Sequence, residues 1–171
     1  MENSLVGRPE ERREQNEPSR SVPSIPAPLT ALIGRASELQ AVGDMLRRAR
    51  LVTLTGPAGV GKTRTAIELG RDQARQRADG VWWIDLASVR KAEDVAAETA
   101  RVLGIRGAGR DAMTDAVRRH LTDRDVLLLL DNCEHVLDAC AELGSRLLGA
   151  CPHLRVLATS REPLGVPGEA M

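Results

Sequence analysis

Leu51-Val52-Thr53-Leu54-Thr55-Gly56-Pro57-Ala58-Gly59-Val60-Gly61-Lys62-Thr63 decides how the rest of the chain is read. Its first five residues are a β-favouring run that stops at Gly56-Pro57, and Ala66, Ile67, Gly70 and Ala74 then recur on one side of a helix. The eight residues from Gly56 fit G-x-x-x-x-G-K-S/T, and strand, glycine loop and helix in that order are the setting in which the pattern holds phosphate. Glycine is needed because the loop must turn its backbone N–H groups inward against phosphate oxygens, where a Cβ would obstruct them. The helix that follows points its positive end at the same place. Lys62 is expected to reach the β- and γ-phosphates as a compact charge, and Thr63 to ligate Mg²⁺. Of the 24 basic residues only Lys62 and Lys91 are lysines, so the loop uses Lys in a chain that otherwise uses Arg.

Outward from this loop the pattern alternates. Ser37-x-x-Gln40 reads as a capping box, opening a helix over 37–49 with Leu39, Val42, Leu46 and Ala49 on its apolar face. Residues 81–86 (VWWIDL) read as a second strand, and Val95, Thr99 and Val102 mark a helix ending near Gly104. Residues 104–110 read as a connection, and Met113, Ala116, Val117, His120 and Leu121 as a short helix. The apolar run 126–130 has no polar alternation, as expected of a strand covered on both faces and therefore of a parallel sheet. Val136, Cys140, Leu143 and Leu147 carry a further helix, broken at Pro152, before a fourth strand over 154–159. Strands alternating with helices predict an α/β fold with right-handed crossovers. Residues 1–28 hold five of the nine prolines and few large apolar groups, and read as a disordered leader before a domain over 29–171.

Two further residues join the loop. Asp131 follows the buried run at the carboxyl edge of the sheet, where ligands of open α/β sheets bind, and is expected to hold Mg²⁺ directly or through water. Arg161 follows the fourth strand in the same way, which places a guanidinium near the γ-phosphate if that strand lies beside the first.

The composition narrows the class. Twenty-four basic and 24 acidic residues give 171 residues a formal net charge of zero, which argues against a chain that coats DNA or an anionic membrane. Phe and Tyr are absent, so a base-stacking platform has only Trp82 and Trp83 to draw on, and neighbouring strand residues point to opposite faces. Three cysteines without a C-x-x-C pair fit a reducing compartment and lack the ligand spacing of a zinc finger. The start of the chain has no apolar h-region and no run is long enough to span a bilayer, so a cytoplasmic location is expected. No N-K-x-D motif points to a GTPase and no L-S-G-G-Q signature to an ABC-type ATPase.

At this level of detail the chain resembles the STAND class of P-loop ATPases, in particular the NB-ARC-like, AAA-related modules of bacterial LuxR- and SARP-type transcriptional regulators. The resemblance rests on Leu32-Ile33-Gly34-Arg35 with Glu38-Leu39, on the loop, on residues 81–86, on LLLDNCEH at 128–135 and on LATSREPLGVPGE at 157–169, in family order. It implies a three-layer P-loop NTPase fold with strand order 2-3-4-1 and the fifth strand missing, the domain being incomplete at its carboxyl end. It implies that ATP or ADP is held by Ile33, Gly34 and Arg35 of the leader and by Gly56, Pro57, Ala58, Gly59, Val60, Gly61, Lys62, Thr63 and Arg64. By the same resemblance Lys62, Asp131 and Arg161 serve catalysis, with Asp131 as the Walker B acid and Arg161 as the γ-phosphate sensor; Thr63 and Asp131 hold Mg²⁺. Asn132 stands where many relatives carry the acid that orients the attacking water, and Asn cannot act as a base. Glu134 is a candidate substitute, and slow hydrolysis or none is expected. The implied role is a nucleotide-dependent conformational switch in signal transduction. Its partners would be nucleotide and other copies or domains of a larger regulator, without direct DNA binding by this chain. The alternative is a non-catalytic interaction module with vestigial nucleotide binding.

Overall fold

Among the described residues eleven short segments of regular structure follow one another, nine of them in the order the periodicity predicts, with a 3₁₀ turn and a fifth strand in addition. The computed structural model describes residues 25–27, 34–107, 109 and 112–171. The leader expected over 1–28 lies outside the described residues except for 25–27, and Ile33 and part of the 104–110 connection lie outside them as well. The elements are α1 (Ala36–Arg48), β1 (Leu51–Thr55), α2 (Lys62–Gln73), β2 (Val81–Asp85), α3 (Asp94–Val102), α4 (Met113–Leu121), β3 (Leu127–Asp131), a 3₁₀ turn (Cys133–His135), α5 (Leu137–Ala150), β4 (Arg155–Ser160) and β5 (Glu169–Ala170).

All five strands are parallel, in the order β2-β3-β4-β1-β5. Every residue of β3 is buried, as its unbroken apolar run requires of a central strand. Its side chains alternate between two cores. Leu128 and Leu130 join Leu51, Ile84 and Val156 under α3, α4 and α5, whereas Leu127 and Leu129 join Val52, Leu157 and Val81 under α1 and α2. The two tryptophans divide in the same way. Trp82 is buried in the first core and Trp83, partly buried, packs against the second, so the two rings lie on opposite faces of the sheet. Gly70 lets α2 settle on the sheet, since a Cβ there would stand 2.5 Å from Leu129 Cδ1.

Two expectations are corrected. The fifth strand is present: Glu169 and Ala170 pair in parallel with Leu51 and Val52, so β1 is not an edge strand over its first two residues. The Glu169 carboxylate accepts hydrogen bonds from the backbone N–H groups of Leu164 (2.9 Å) and Gly165 (2.8 Å), while Leu164 and Val166 are buried. That turn brings the last residues back to β1. The second correction concerns the capping box. Helix α1 opens at Ala36, Leu39 N–H already bonds to Arg35 O at 3.0 Å, and no side chain caps the end. Ser37 therefore lies inside the first turn and cannot adopt the extended backbone of an N-cap.

Candidate functional site

The parallel register collects the chemistry at one edge of the sheet. Thr55 pairs with Ser160 and Asp85 with Asp131, so the chain leaves β1, β2, β3 and β4 at one level, with Gly56, Leu86, Asn132 and Arg161 as the next residues. The glycine loop opens directly from β1. Gly56, Gly59 and Gly61 have φ of 144°, 80° and 98°, which L side chains rarely adopt, and a Cβ on Gly61 would crowd the Arg35 guanidinium at 3.2 Å. Pro57, Ala58 and Val60 are exposed, as a loop that presents its backbone to a ligand requires. Lys62 Nζ donates to Gly56 O (2.7 Å) and Pro57 O (3.0 Å), which holds the ammonium inside the curve of the loop.

Helix α2 starts at Lys62 with Thr63 in its first turn. The Thr63 hydroxyl donates to Asp131, with its oxygen 2.8 Å from Oδ1 and 3.1 Å from Oδ2. Asp131 is 2 % exposed. Thr159 Oγ1 donates to its Oδ1 at 2.5 Å, and Asn132 Nδ2 donates to its Oδ2 at 3.0 Å. Three neutral donors thus meet the carboxylate, and no basic side chain among the described residues does. Burial holds the Asp131 carboxyl above the ordinary carboxylate range, the hydroxyls of Thr159 and Thr63 oppose that shift, and the negative Asp85 and Glu134 add to it.

This chemistry fits a divalent cation of the Mg²⁺ type. A buried carboxylate without a cationic partner among the described residues and a neighbouring hydroxyl are hard oxygen donors, and a cation there would relieve the desolvation that the neutral donors compensate only in part. Among the described residues no group of three or more His, Cys, Asp or Glu is arranged to hold a metal ion. Thr63 and Asp131 would therefore share the ion with phosphate and water, which is how Mg²⁺ is commonly held. The cysteines stand apart: Cys133, Cys140 and Cys151 are free and buried, and Cys140 lies on the apolar face of α5.

The remaining residues divide. Arg35 spans the loop, its guanidinium donating to Val60 O at 2.8 Å and lying 3.4 Å from Glu38, while Gly34 is exposed with φ of 80°. Arg64 pairs with Glu68 at 3.6 Å along α2, and two of its guanidinium nitrogens are buried without a hydrogen-bond partner. Arg161 emerges beside β1 as expected, because β4 is the neighbour of β1. Its guanidinium, however, is 63 % exposed and lies 3.6 Å from Glu134 Oε1, and the second Glu134 oxygen is buried without a partner. Beside the loop, Arg35, Glu38, Val42 and Met45 of the first helix region, residues 53–55 of β1, Val60 and Lys62 line a cavity of about 250 Å³. A larger cavity of about 330 Å³ between α3, α4 and α5 includes none of the loop residues.

Thr159 and Asp85 are the residues of this cluster that the motifs do not announce. The one available signal is a polar residue at the carboxyl end of an otherwise apolar strand, in LAT at 157–159 and in WWID at 82–85.

Comparison with known proteins agrees with this architecture. Residues 45–164 match the AAA_22 family, described as an AAA domain. A Mycobacterium tuberculosis protein provisionally named an HTH-type transcriptional regulator is 49 % identical over 125 residues, 73 % of this chain but 14 % of that protein. The chain thus spans a small part of the length of this relative. Among solved structures, Cdc6p from Pyrobaculum aerophilum aligns with a TM-score of 0.56 at 25 % identity, over 85 % of this chain and 43 % of that one. A Signal Transduction ATPase with Numerous Domains (STAND) protein with a tetratricopeptide repeat sensor, from Pyrococcus horikoshii, aligns at 0.59 and 18 % identity, over 88 % of this chain and 23 % of that one. At that identity the likeness concerns the fold alone.

Proposed function

Since the chain belongs to the AAA_22 family of AAA-type P-loop ATPase domains, we propose that it binds ATP and ADP with Mg²⁺ as the switch domain of a larger STAND-type regulator. The observation that carries this reading is the meeting of Thr63 with Asp131, residues 68 apart in sequence, at 2.8 Å beside a glycine loop that encloses Lys62. Bound Mg²⁺ would supply positive charge to the β- and γ-phosphate oxygens. The protein's own part is placement. Loop N–H groups and the first turn of α2 receive the phosphates, Lys62 leaves the Gly56 and Pro57 carbonyls for them, and Thr63 and Asp131 present oxygens to the cation. Arg35, Val42, Met45 and Val60 border the space for the base.

Nucleotide state would then set how the domain packs against other parts of the regulator, or against another copy of itself. The relative's name supports transcriptional control as the setting, and this chain would not itself contact DNA. Arg161 is the moving part in this reading, leaving Glu134 for a third phosphate and so separating ATP from ADP. One observation favours slow turnover: Asn132, at the place of the water-orienting acid, accepts no proton, and its amide is occupied by Asp131 and Asp85. Isothermal calorimetry with ADP and Mg²⁺ tests the reading. Lys62→Ala should weaken binding by about 30-fold or more, from the loss of a charge-assisted contact of about 2 kcal/mol or more. Equal affinity in a folded Lys62→Ala protein would remove the loop from the proposed site.

A further inference from the structure

Asn132 carries more than the absence of a base. It is the one non-glycine residue with positive φ among the described residues, at φ 63° and ψ 47°. Glycine, asparagine and aspartate are the residues that tolerate this left-handed conformation best. Glycine would bring no side chain, and aspartate would set a third carboxylate between two others. Asparagine alone brings donors. Its Nδ2 donates to Asp131 Oδ2 at 3.0 Å and to Asp85 Oδ1 at 3.1 Å, and its backbone N–H donates to Thr159 Oγ1 at 3.1 Å.

The far end of this bridge is itself fixed. Asp85 Oδ1 also accepts Ala87 N–H at 2.9 Å, and Leu86 N–H bonds to Asp131 O at 3.0 Å. His135 Nε2 lies 2.9 Å from Leu86 O and 2.7 Å from Val89 O, so it carries the ring proton and ties the turn after β3 to the segment after β2. The amide of Asn132 therefore links the buried Asp131 carboxylate to a second carboxylate, that of Asp85, which also accepts from the segment after β2.

We propose that Asn132 is a positioning residue: its amide fastens the Asp131 carboxylate of β3 to Asp85 of β2 and so sets the oxygens offered to a divalent cation. This rests on the reading of the site as a Mg²⁺-nucleotide site. Neighbouring groups that hold a metal ligand by hydrogen bonds govern metal affinity, and their loss costs about 10- to 100-fold.

The test measures ADP affinity in Mg²⁺ and in EDTA and takes the ratio of the two, in the full chain. Asn132→Gly keeps the left-handed backbone and removes the amide. It should lower the Mg²⁺ enhancement about 10-fold and leave affinity in EDTA unchanged. Asp85→Ala, at an exposed residue, should lower the enhancement by less and add nothing in the Asn132→Gly background. A merely structural role would shift both affinities together or lower the melting temperature alone. An enhancement unchanged in folded Asn132→Gly, or independent additive effects of the two substitutions, overturns the proposal. Should Asn132→Gly fail to fold, an unchanged enhancement in Asp85→Ala overturns it. Lys62→Ala separates the two levels: a wild-type chain that binds no ADP, or binds it equally with Lys62→Ala, removes the nucleotide reading and this inference together.

Discussion

Two groups at the carboxyl edge of the sheet, the Asp131 carboxylate and the Arg161 guanidinium, are held in opposite ways. Asp131 is buried, fed by donors from α2, β4 and its own following residue, and ends β3, an interior strand of the sheet. Arg161 stands one residue beyond the neighbouring strand, mostly exposed, with one ion pair among the described residues, at 3.6 Å. The same sheet edge thus offers a buried, hydrogen-bonded group and an exposed one. In the function proposed above, fixed oxygens would serve the cation, whose coordination geometry allows little adjustment, and a long exposed side chain would serve the detection of a group that is present in one nucleotide and absent from another.

This contrast can be broken by substitution. The largest effect on stability is expected at Thr159→Val, which removes the donor to Asp131 Oδ1 and the acceptor of Asn132 N–H while keeping the side-chain volume. Leaving buried polar groups unpaired should lower unfolding free energy by about 2 kcal/mol, read from urea denaturation. A loss below about 0.5 kcal/mol would mean that Asp131 is not held as described.

A smaller effect of opposite sign is expected at Asp131→Asn. Burial raises the Asp131 carboxyl above its ordinary value, so between the unfolded and the folded pKa the native chain binds more protons than the unfolded one. Stability conferred by the protonated form is therefore full below the unfolded pKa and is lost as pH rises through the folded one. Without nucleotide, the Asn variant should melt higher than wild type at neutral pH, and the gain should vanish on acidification through the carboxylate range. A gain that persists in acid would place its origin elsewhere.

Arg161→Ala should leave stability within about 0.5 kcal/mol of wild type, as for an exposed side chain with one long ion pair. Its effect should appear in ligand choice, with ATP affinity falling several-fold against ADP affinity in competition titrations. Equal loss for both nucleotides would make Arg161 a general phosphate contact.

The parts of this arrangement differ in how openly the sequence announces them. The span Leu51–Thr55 and the helix start at Lys62 are both read directly, because propensity, glycine placement and apolar periodicity coincide there. The strand before Asp131 is equally plain, its leucines leaving no alternative to double-sided burial. The two-residue β5 has no period to detect, and its position depends on the Glu169 carboxylate reaching two backbone groups of the preceding loop. The pattern Ser37-x-x-Gln40 satisfies a local rule, yet the chain enters α1 through Arg35, which is committed to Val60 O across the loop. The roles of Thr159, Asp85 and Asn132 depend on strand register, which brings Asp85 level with Asp131. No local motif encodes that register.

The most direct test of the account is the Mg²⁺ dependence of ADP binding in Asp131→Asn. Wild type should bind ADP more tightly with Mg²⁺ than in EDTA. The variant should bind with the same affinity in both, and in EDTA at least as tightly as wild type, since a buried negative charge near the phosphates is gone. A variant that keeps the Mg²⁺ enhancement, or that loses ADP binding equally in both conditions, would contradict the assignment of Asp131 to the cation.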